Sequence, residues 1–157
     1  MIADVESRGL GTRVLIAEDH VDSATGIGRL LRLHGYEVTI VTDGRDAVRA
    51  ATRFAPQAAL IDLTLPGLDG FDVAKQLRGL AATRACRLIA MTGWTADEYA
   101  DRARAAGFDE HLVKPISLDA LLQALAMIPA TPTSAWPSEQ RPNRSDRIKV
   151  QGTARFR

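Results

Sequence analysis

The sequence is short of the residues that build covalent or metal-bridged scaffolds. Cys86 is the only cysteine among 157 residues, which excludes an internal disulfide and a cysteine metal cluster. Apolar runs stay well below the roughly 20 residues of a membrane span, and the polar, acidic start is unlike a signal peptide. We therefore expect a soluble, cytoplasmic protein with no membrane partner.

The chain also lacks a strong excess of charge of either sign, since its formal net charge is only +1. The chain nevertheless divides in two: residues 129–157 hold six basic and two acidic residues, a charge of +4, which leaves −3 for the rest. That stretch also holds four of the seven prolines and shows no helical or strand period. We expect a flexible segment at 1–12, one domain at 13–128 and a disordered tail at 129–157. Nucleic-acid binding through this tail is an alternative that the sequence disfavours, since the positive charge of the tail is diffuse and its aromatics are few.

Short apolar runs alternate with longer amphipathic segments five times, which is typical of a parallel sheet with crossover helices. The predicted strands are 13–17, 36–40, 57–61, 87–91 and 109–113. The predicted helices are one that ends at Gly35, then 44–54, 70–80, one from a Thr95–Glu98 capping box to Ala106, and 117–127. This pattern predicts an α/β doubly wound sheet, whose ligand site lies beyond the carboxyl ends of the strands.

Polar side chains follow four of the five predicted strands. They are Glu18 and Asp19 after the first, Asp62 after the third, Thr92 after the fourth and Lys114 after the fifth. Carboxylates that lie close together repel one another, and Mg²⁺ relieves this repulsion with oxygen ligands and leaves positions open for phosphate. Lys114 adds a cation for such a phosphate. The pattern predicts phosphoryl transfer to Asp62, since the adjacent Glu18 and Asp19 are better suited to share the metal.

Each of these residues also has an ordinary explanation. An acidic pair is favourable before a helix N-terminus, which on its own explains Glu18 and Asp19 better than a metal site does. Asp62 suits a turn, while Thr92 and Lys114 suit the solvated end of a strand. The joint pattern favours a functional site, because all five residues fall at strand ends of one predicted sheet.

The same residues resemble the receiver domains of bacterial two-component response regulators over about residues 13–128. The match consists of the acidic pair in VLIAEDH, the aspartate in LIDLTLPGLDG, the hydroxyl in AMTGW and the lysine in HLVKP, in that order and at the intervals that the family uses. The resemblance implies a flavodoxin-like (βα)5 five-stranded parallel sheet with strand order 2-1-3-4-5. It also implies a signalling domain rather than an enzyme.

The resemblance assigns a phosphoacceptor and a metal site. Asp62 would accept phosphoryl from a phosphohistidine on a histidine kinase or a histidine phosphotransfer protein. Glu18, Asp19, Asp62 and the backbone carbonyl of Thr64 would bind Mg²⁺. Thr64 would also flank the path of the water that hydrolyses the acyl phosphate.

The remaining matches concern the switch. Thr92 would move onto the phosphoryl group, and Lys114 would pair with it, held by a cis bond to Pro115. His111 stands where the family usually has Tyr or Phe, so we hypothesise that a titratable imidazole makes the switch depend on pH. Trp94, two residues after Thr92, is predicted to shield the acyl phosphate and lengthen its life.

Alternatives remain open for the function. The leading interpretation is a receiver whose phosphorylation shifts the surface at 95–127 to control a downstream protein, with a homodimer left open. A receiver fragment of a hybrid histidine kinase has the same sequence features. An enzyme alternative is a Mg²⁺-dependent phosphohydrolase with an aspartyl nucleophile. Haloacid-dehalogenase-like enzymes of that kind place a second aspartate where this chain has Thr64.

Overall fold

A computed structural model describes residues 11–94 and 97–128. Within these residues the strands are β1 Arg13–Ala17, β2 Glu37–Val41, β3 Ala58–Asp62, β4 Arg87–Thr92 and β5 Glu110–Val113. The helices are α1 Val21–Leu33, α2 Gly44–Phe54, α3 Gly70–Gly79, α4 Asp97–Ala106 and α5 Leu118–Ala126.

The strands form one parallel sheet in the order β2-β1-β3-β4-β5. The strand order reverses at β1 and β3, so the carboxyl ends of these two neighbours flank a crevice. This arrangement confirms the predicted flavodoxin-like fold. Among the helices of the described residues, none combines the length and the apolar composition that crossing a bilayer requires.

Helices cover both faces of the sheet, which is why the strands read as continuous apolar runs. One face packs side chains such as Leu15, Ile61 and Leu88 against α2, α3 and α4. The other face packs side chains such as Ile16 and Leu60 against α1 and α5. The ends of the strands, where this packing stops, are the places at which polar side chains reach solvent.

Several predicted boundaries were wrong by one residue. β2 and β3 lie one residue later than predicted, β4 ends one residue later and β5 begins one residue later. Asp62 and Thr92 are therefore the last residues of their strands, because their backbones still pair with Met91 and Val113 in the ladder.

The helix bounds are close to the predictions. The first helix is capped by His34, with Gly35 following at φ 88° rather than serving as the cap itself. The second is confirmed at 44–54, the third ends one residue early, and the last is 118–126 with Ser117 as N-cap. The predicted capping residue Thr95, residues 1–10 and the predicted tail 129–157 lie outside the described residues.

Helix α3 begins in direct contact with the end of β3. The Gly70 amide donates to the Leu63 carbonyl at 3.1 Å, and a Cβ atom at Gly70 would overlap the Asp62 carbonyl oxygen. Only glycine permits this approach. As a result Phe71, the next residue of the helix, is anchored beside the carboxyl end of β3.

Candidate functional site

Three carboxylates converge at the carboxyl edge of the sheet. Glu18 and Asp19 follow β1, and Asp62 ends β3, the neighbouring strand. One oxygen of each lies within 4.8 Å of the others. Glu18 and Asp62 are buried, with 1% and 5% of their surface exposed, whereas Asp19 is exposed. The structure thus brings together the three acids that the sequence singled out.

Lys114 is the cation that the structure places among these acids. Its Nζ lies 2.5 Å from Glu18 Oε2 and 2.8 Å from Asp62 Oδ2. Its backbone amide donates to the Thr92 carbonyl at 2.7 Å, and the peptide bond to Pro115 is cis. One ammonium against three carboxylates leaves a local charge of −2, which is the charge that a divalent cation neutralises.

The second oxygen of each buried carboxylate accepts from a backbone amide, and that of Asp62 accepts from a hydroxyl as well. Asp62 Oδ1 accepts from the Thr64 amide at 2.9 Å and from the Thr64 hydroxyl at 3.0 Å. Glu18 Oε1 accepts from the His20 amide at 3.1 Å. These bonds fix both carboxylates in orientation before any ligand arrives, because buried acceptors are costly to leave unpaired.

The same contacts shift the acidities in opposite directions. Burial raises the pKa of Glu18, and the Lys114 ammonium and the His20 amide offset this only in part. Burial also opposes ionisation of Asp62, but hydrogen bonds from Lys114 and Thr64 outweigh it and lower the pKa of that carboxyl. Burial by itself lowers the pKa of Lys114, yet its hydrogen bonds to the two carboxylates raise it overall. Asp62 is thus held ionised, as a nucleophilic carboxylate requires.

Thr92 and Trp94 form the side of the site at the end of β4. The Thr92 side chain is buried, and its Oγ1 accepts from the Trp94 amide at 3.0 Å. A hydroxyl that accepts this bond retains its own hydrogen for donation to a ligand. The Trp94 side chain is 42% exposed and stacks on Tyr99, with the ring centroids 4.4 Å apart.

His111 lies elsewhere on the sheet. It belongs to the edge strand β5, where its side chain is exposed and its backbone is in register with Ala90 of β4. Its proposed role as a switch stays a prediction.

The carboxylates and the Thr64 backbone fit Mg²⁺ by their chemistry. Glu18, Asp19 and Asp62 offer oxygen ligands alone, and hard cations of this kind prefer such ligands. No cysteine or histidine joins them in the clusters formed by the described residues, which argues against zinc or copper.

Sequence reasoning did not identify three residues beside the site. They are Tyr99, which stacks on Trp94, and Arg102, whose guanidinium makes cation–π contacts with Tyr99 and with the third residue, Phe71. Tyr99 and Arg102 lie three residues apart on α4, whereas Phe71 lies on α3, so no short sequence motif links all three. The one sequence feature that could have indicated them is the scarcity of aromatic side chains, which make up 5% of the chain, so that each one is worth examining.

A groove of about 810 Å³ lies at the opposite, amino edge of the sheet. Its lining includes Arg78, Arg84, Arg87 and Arg104. It contains none of the carboxylates described above, so its size does not mark the chemical site.

Comparison with known proteins agrees with this geometry. The family model of the response regulator receiver domain matches residues 14–126. The transcriptional regulatory protein PdtaR of Mycobacterium tuberculosis is 34% identical over 116 residues, which cover 73% of this chain and 55% of that protein. TcrA of the same species is 34% identical over 148 residues, covering 87% of this chain and 58% of that protein. The chain therefore spans about half the length of these curated relatives.

Solved structures lead to the same family. The receiver domain of a sensor histidine kinase from Pseudomonas aeruginosa, with a magnesium ion in its active-site cleft, is 34% identical with a TM-score of 0.67. That match covers 74% of this chain and 98% of the other. The chemotaxis protein CheY4 of Vibrio cholerae is 26% identical with a TM-score of 0.72, covering 75% and 98%. Together with the acids, the hydroxyl and the lysine at the carboxyl ends of the strands of this sheet, these matches show that the chain belongs to the response regulator receiver domain family of two-component signalling proteins.

Proposed function

We propose that Asp62 accepts a phosphoryl group from the phosphohistidine of a histidine kinase or a histidine phosphotransfer protein. The observation that carries this proposal is the position of Asp62, a buried carboxylate at a strand end that Lys114 contacts at 2.8 Å beside two further acids. An ion pair needed only for stability would not be accompanied by uncompensated negative charge.

The reaction is a displacement at phosphorus. An oxygen of Asp62 bonds to phosphorus while the phosphorus–nitrogen bond of the phosphohistidine breaks and its electron pair returns to the imidazole. Lys114 is placed to pair with the oxygens of the arriving phosphoryl group. Thr92 supplies a hydroxyl donor to the same oxygens once its side chain turns toward them.

Glu18, Asp19, Asp62 and the Thr64 carbonyl are the residues proposed to hold Mg²⁺. When bound, the ion would neutralise negative charge on the transferring phosphoryl group. Asp19 is the exposed member and so the first to meet an ion from solvent, while Glu18 is buried behind it.

The output is proposed to be a changed surface at 95–127, which includes α4 and α5 and controls a downstream protein. A shift of a few kcal/mol between two states is enough for such control. The similar proteins include transcriptional regulators and the receiver domain of a sensor histidine kinase. The same proposed chemistry therefore fits this chain either as a separate regulator or as a fragment of a hybrid kinase. The choice between them does not alter the role of Asp62.

The phosphohydrolase alternative is disfavoured by Thr64. In that alternative the side chain two residues after the nucleophile acts as an acid and base, a role that needs a carboxylate. Here a hydroxyl occupies the position and donates to Asp62 Oδ1. We therefore propose a phosphoacceptor that turns over slowly, not an enzyme acting on small phosphomonoesters.

The test is intact mass of the purified chain after incubation with acetyl phosphate, with Mg²⁺ and with EDTA. We expect a gain of about 80 Da, one phosphoryl group, that requires both Mg²⁺ and Asp62. Asp62→Asn should abolish the gain. Asp72→Asn, which removes an exposed carboxylate of α3, is the matched control and should keep it.

Contrary outcomes are easy to recognise. A gain that persists in Asp62→Asn would assign the phosphoryl group to another side chain. Equal labelling in EDTA would remove the metal from the proposal. Sustained release of phosphate from p-nitrophenyl phosphate would favour the hydrolase alternative.

A further inference from the structure

A bridge of rings and one guanidinium connects the ends of β3 and β4 at the side of the site. Trp94 stacks on Tyr99 with an interplanar angle of 28°. The Arg102 guanidinium carbon lies 4.3 Å from the Phe71 ring centroid and 5.9 Å from that of Tyr99. The order of contacts is therefore Trp94, Tyr99, Arg102, Phe71, which we call the aromatic wall.

Both ends of the aromatic wall are attached to the site. Trp94 is bonded through its amide to Thr92, which lies one residue beyond the level at which Met91 pairs with Asp62. Phe71 follows Gly70, whose backbone packs directly on the Asp62 carbonyl. The aromatic wall thus connects the backbone that follows β4 with the backbone that packs on the end of β3.

Trp94 stacks its ring on Tyr99, the one ring partner that it has among the described residues. Its side chain is 42% exposed, whereas Tyr99 is partly buried against the core and Phe71 is buried. An exposed indole keeps one orientation only if a fixed surface lies under it, and the Tyr99 ring is that surface. Arg102 is itself placed between the rings of Tyr99 and Phe71, so it fixes Tyr99 relative to α3.

We propose that Tyr99 and Arg102 are positioning residues that hold the Trp94 ring beside phosphorylated Asp62 and so lengthen the life of its acyl phosphate. This inference rests on the proposed function and deepens it, because it concerns the rate at which the same site loses its phosphoryl group. Tyr99 and Arg102 touch no reacting atom and act only through Trp94.

The step that the wall slows is hydrolysis. The oxygen of a water molecule bonds to phosphorus as the bond between phosphorus and the Asp62 oxygen breaks. The electron pair of that bond returns to the carboxylate, and both protons of the water leave on dihydrogen phosphate. Water must approach phosphorus opposite the Asp62 oxygen, and a fixed indole at the side of the site restricts that approach.

The experiment measures the decay of the phosphoryl mass after acetyl phosphate is removed by rapid desalting in Mg²⁺ buffer. Tyr99→Leu and Trp94→Ala should each shorten the lifetime about two- to tenfold, the range expected for loss of one aromatic pair. The double variant should decay no faster than Trp94→Ala alone. Tyr99→Phe keeps the ring and should restore the lifetime of the unaltered chain.

Arg102→Gln has a matched control on the same helix. Arg104 is also exposed and pairs with Asp101 at 3.6 Å, and it contacts no aromatic ring among the described residues, so Arg104→Gln removes an equal charge and leaves the rings in place. Arg102→Gln should shorten the lifetime, and Arg104→Gln should leave it unchanged. The rate of loading from acetyl phosphate should stay constant in all of these variants except those at Trp94. A general loosening of the site would instead change the loading rate as well as the lifetime.

Several results would overturn the inference. The inference fails if Tyr99→Leu leaves the lifetime unchanged while Trp94→Ala shortens it. It also fails if the two substitutions have additive effects on the lifetime in the double variant. Equal effects of Arg102→Gln and Arg104→Gln would reduce the role of Arg102 to its charge. If the unaltered chain takes up no phosphoryl group, the proposed function fails instead.

A second measurement tests the stack without phosphorylation. The chain has two tryptophans, so Trp136→Phe leaves Trp94 as the single indole. Quenching of its fluorescence by iodide should increase in Tyr99→Leu and not in Tyr99→Phe. Equal quenching in all three proteins would show that Tyr99 does not hold the ring, whatever the fate of Asp62.

Discussion

The two edges of the sheet balance their charges in opposite ways. At the amino edge, Arg78 pairs with Asp109 at 2.7 Å and Arg87 pairs with Glu110 at 2.6 Å, one cation to each acid. At the carboxyl edge, one cation of the described residues, Lys114, faces two buried carboxylates, and exposed Asp19 adds a third negative charge. The first arrangement suits stability, and the second suits binding of a cation and a phosphoryl group.

The amino edge also provides donors for backbone carbonyls at the ends of helices and in the turn segment between α3 and β4. Arg78 donates to the carbonyls of Arg84, Cys86 and Gly107, and Arg87 donates to that of Ala124. Arg13 does the same for Phe54 and Ala55 at the end of α2. Both edges hold short charged contacts, but the amino edge pairs its charges one to one whereas the carboxyl edge keeps an excess of negative charge.

The largest effect that we predict concerns Cys86, at the amino edge. Burial raises the pKa of its thiol to about 12 from an ordinary 9.0, so the thiolate fraction at pH 8 falls about a thousandfold. Alkylation by iodoacetamide should therefore be about a thousandfold slower in the folded chain than in the same chain unfolded in urea. Mass spectrometry at pH 8 measures both alkylation rates. Similar rates in the folded and unfolded chain would show that the amino edge opens readily and would contradict the stable, paired edge described above.

The next effect concerns Arg78. Arg78→Ala should lower the free energy of unfolding by about 3 kcal/mol, because three carbonyls and one carboxylate each lose a hydrogen-bond donor. Urea unfolding followed by circular dichroism measures this loss. Lys75→Ala, on the same helix with a side chain 64% exposed, is the control and should change stability by less than about 0.5 kcal/mol.

A small loss for Arg78→Ala would contradict the comparison from the stability side. The amino edge would then be a surface with many hydrogen bonds but little net stabilisation. Arg78→Lys distinguishes charge from geometry, since one ammonium cannot reach the several acceptors that the planar guanidinium reaches. We expect it to recover only part of the loss.

These two edges were not equally accessible from the sequence. The acids, Thr92 and Lys114 stand at the ends of apolar runs, and a parallel sheet brings such ends together whatever the loops do. Strand limits were off by one residue because ladder pairing, such as that of Asp62 with Met91, decides where a strand stops. Periodicity alone does not contain this pairing.

The amino edge gave no signal in the sequence. Arg78 and Asp109 are 31 residues apart, and arginines are so frequent on surfaces that none of them stands out. Which of the arginines turn inward depends on where the ends of helices leave carbonyls, and that is settled only by packing. The contacts of Arg102 with Phe71 and Tyr99 were hidden for the same reason.

The smallest effect concerns Glu18, at the carboxyl edge. Glu18→Gln should raise the free energy of unfolding by about 1 kcal/mol in EDTA at pH 7, because it removes a buried charge and leaves Lys114 paired with Asp62. The matched control is Glu98→Gln, an exposed site on α4 that should change stability by less than about 0.5 kcal/mol. Saturating Mg²⁺ should cancel the gain, since an ion that binds the folded chain stabilises the unaltered protein and not the variant. A loss of stability in EDTA would mean that the negative charge of the acids is compensated by Lys114 without a metal. Both edges of the sheet would then hold ion pairs that stabilise the fold.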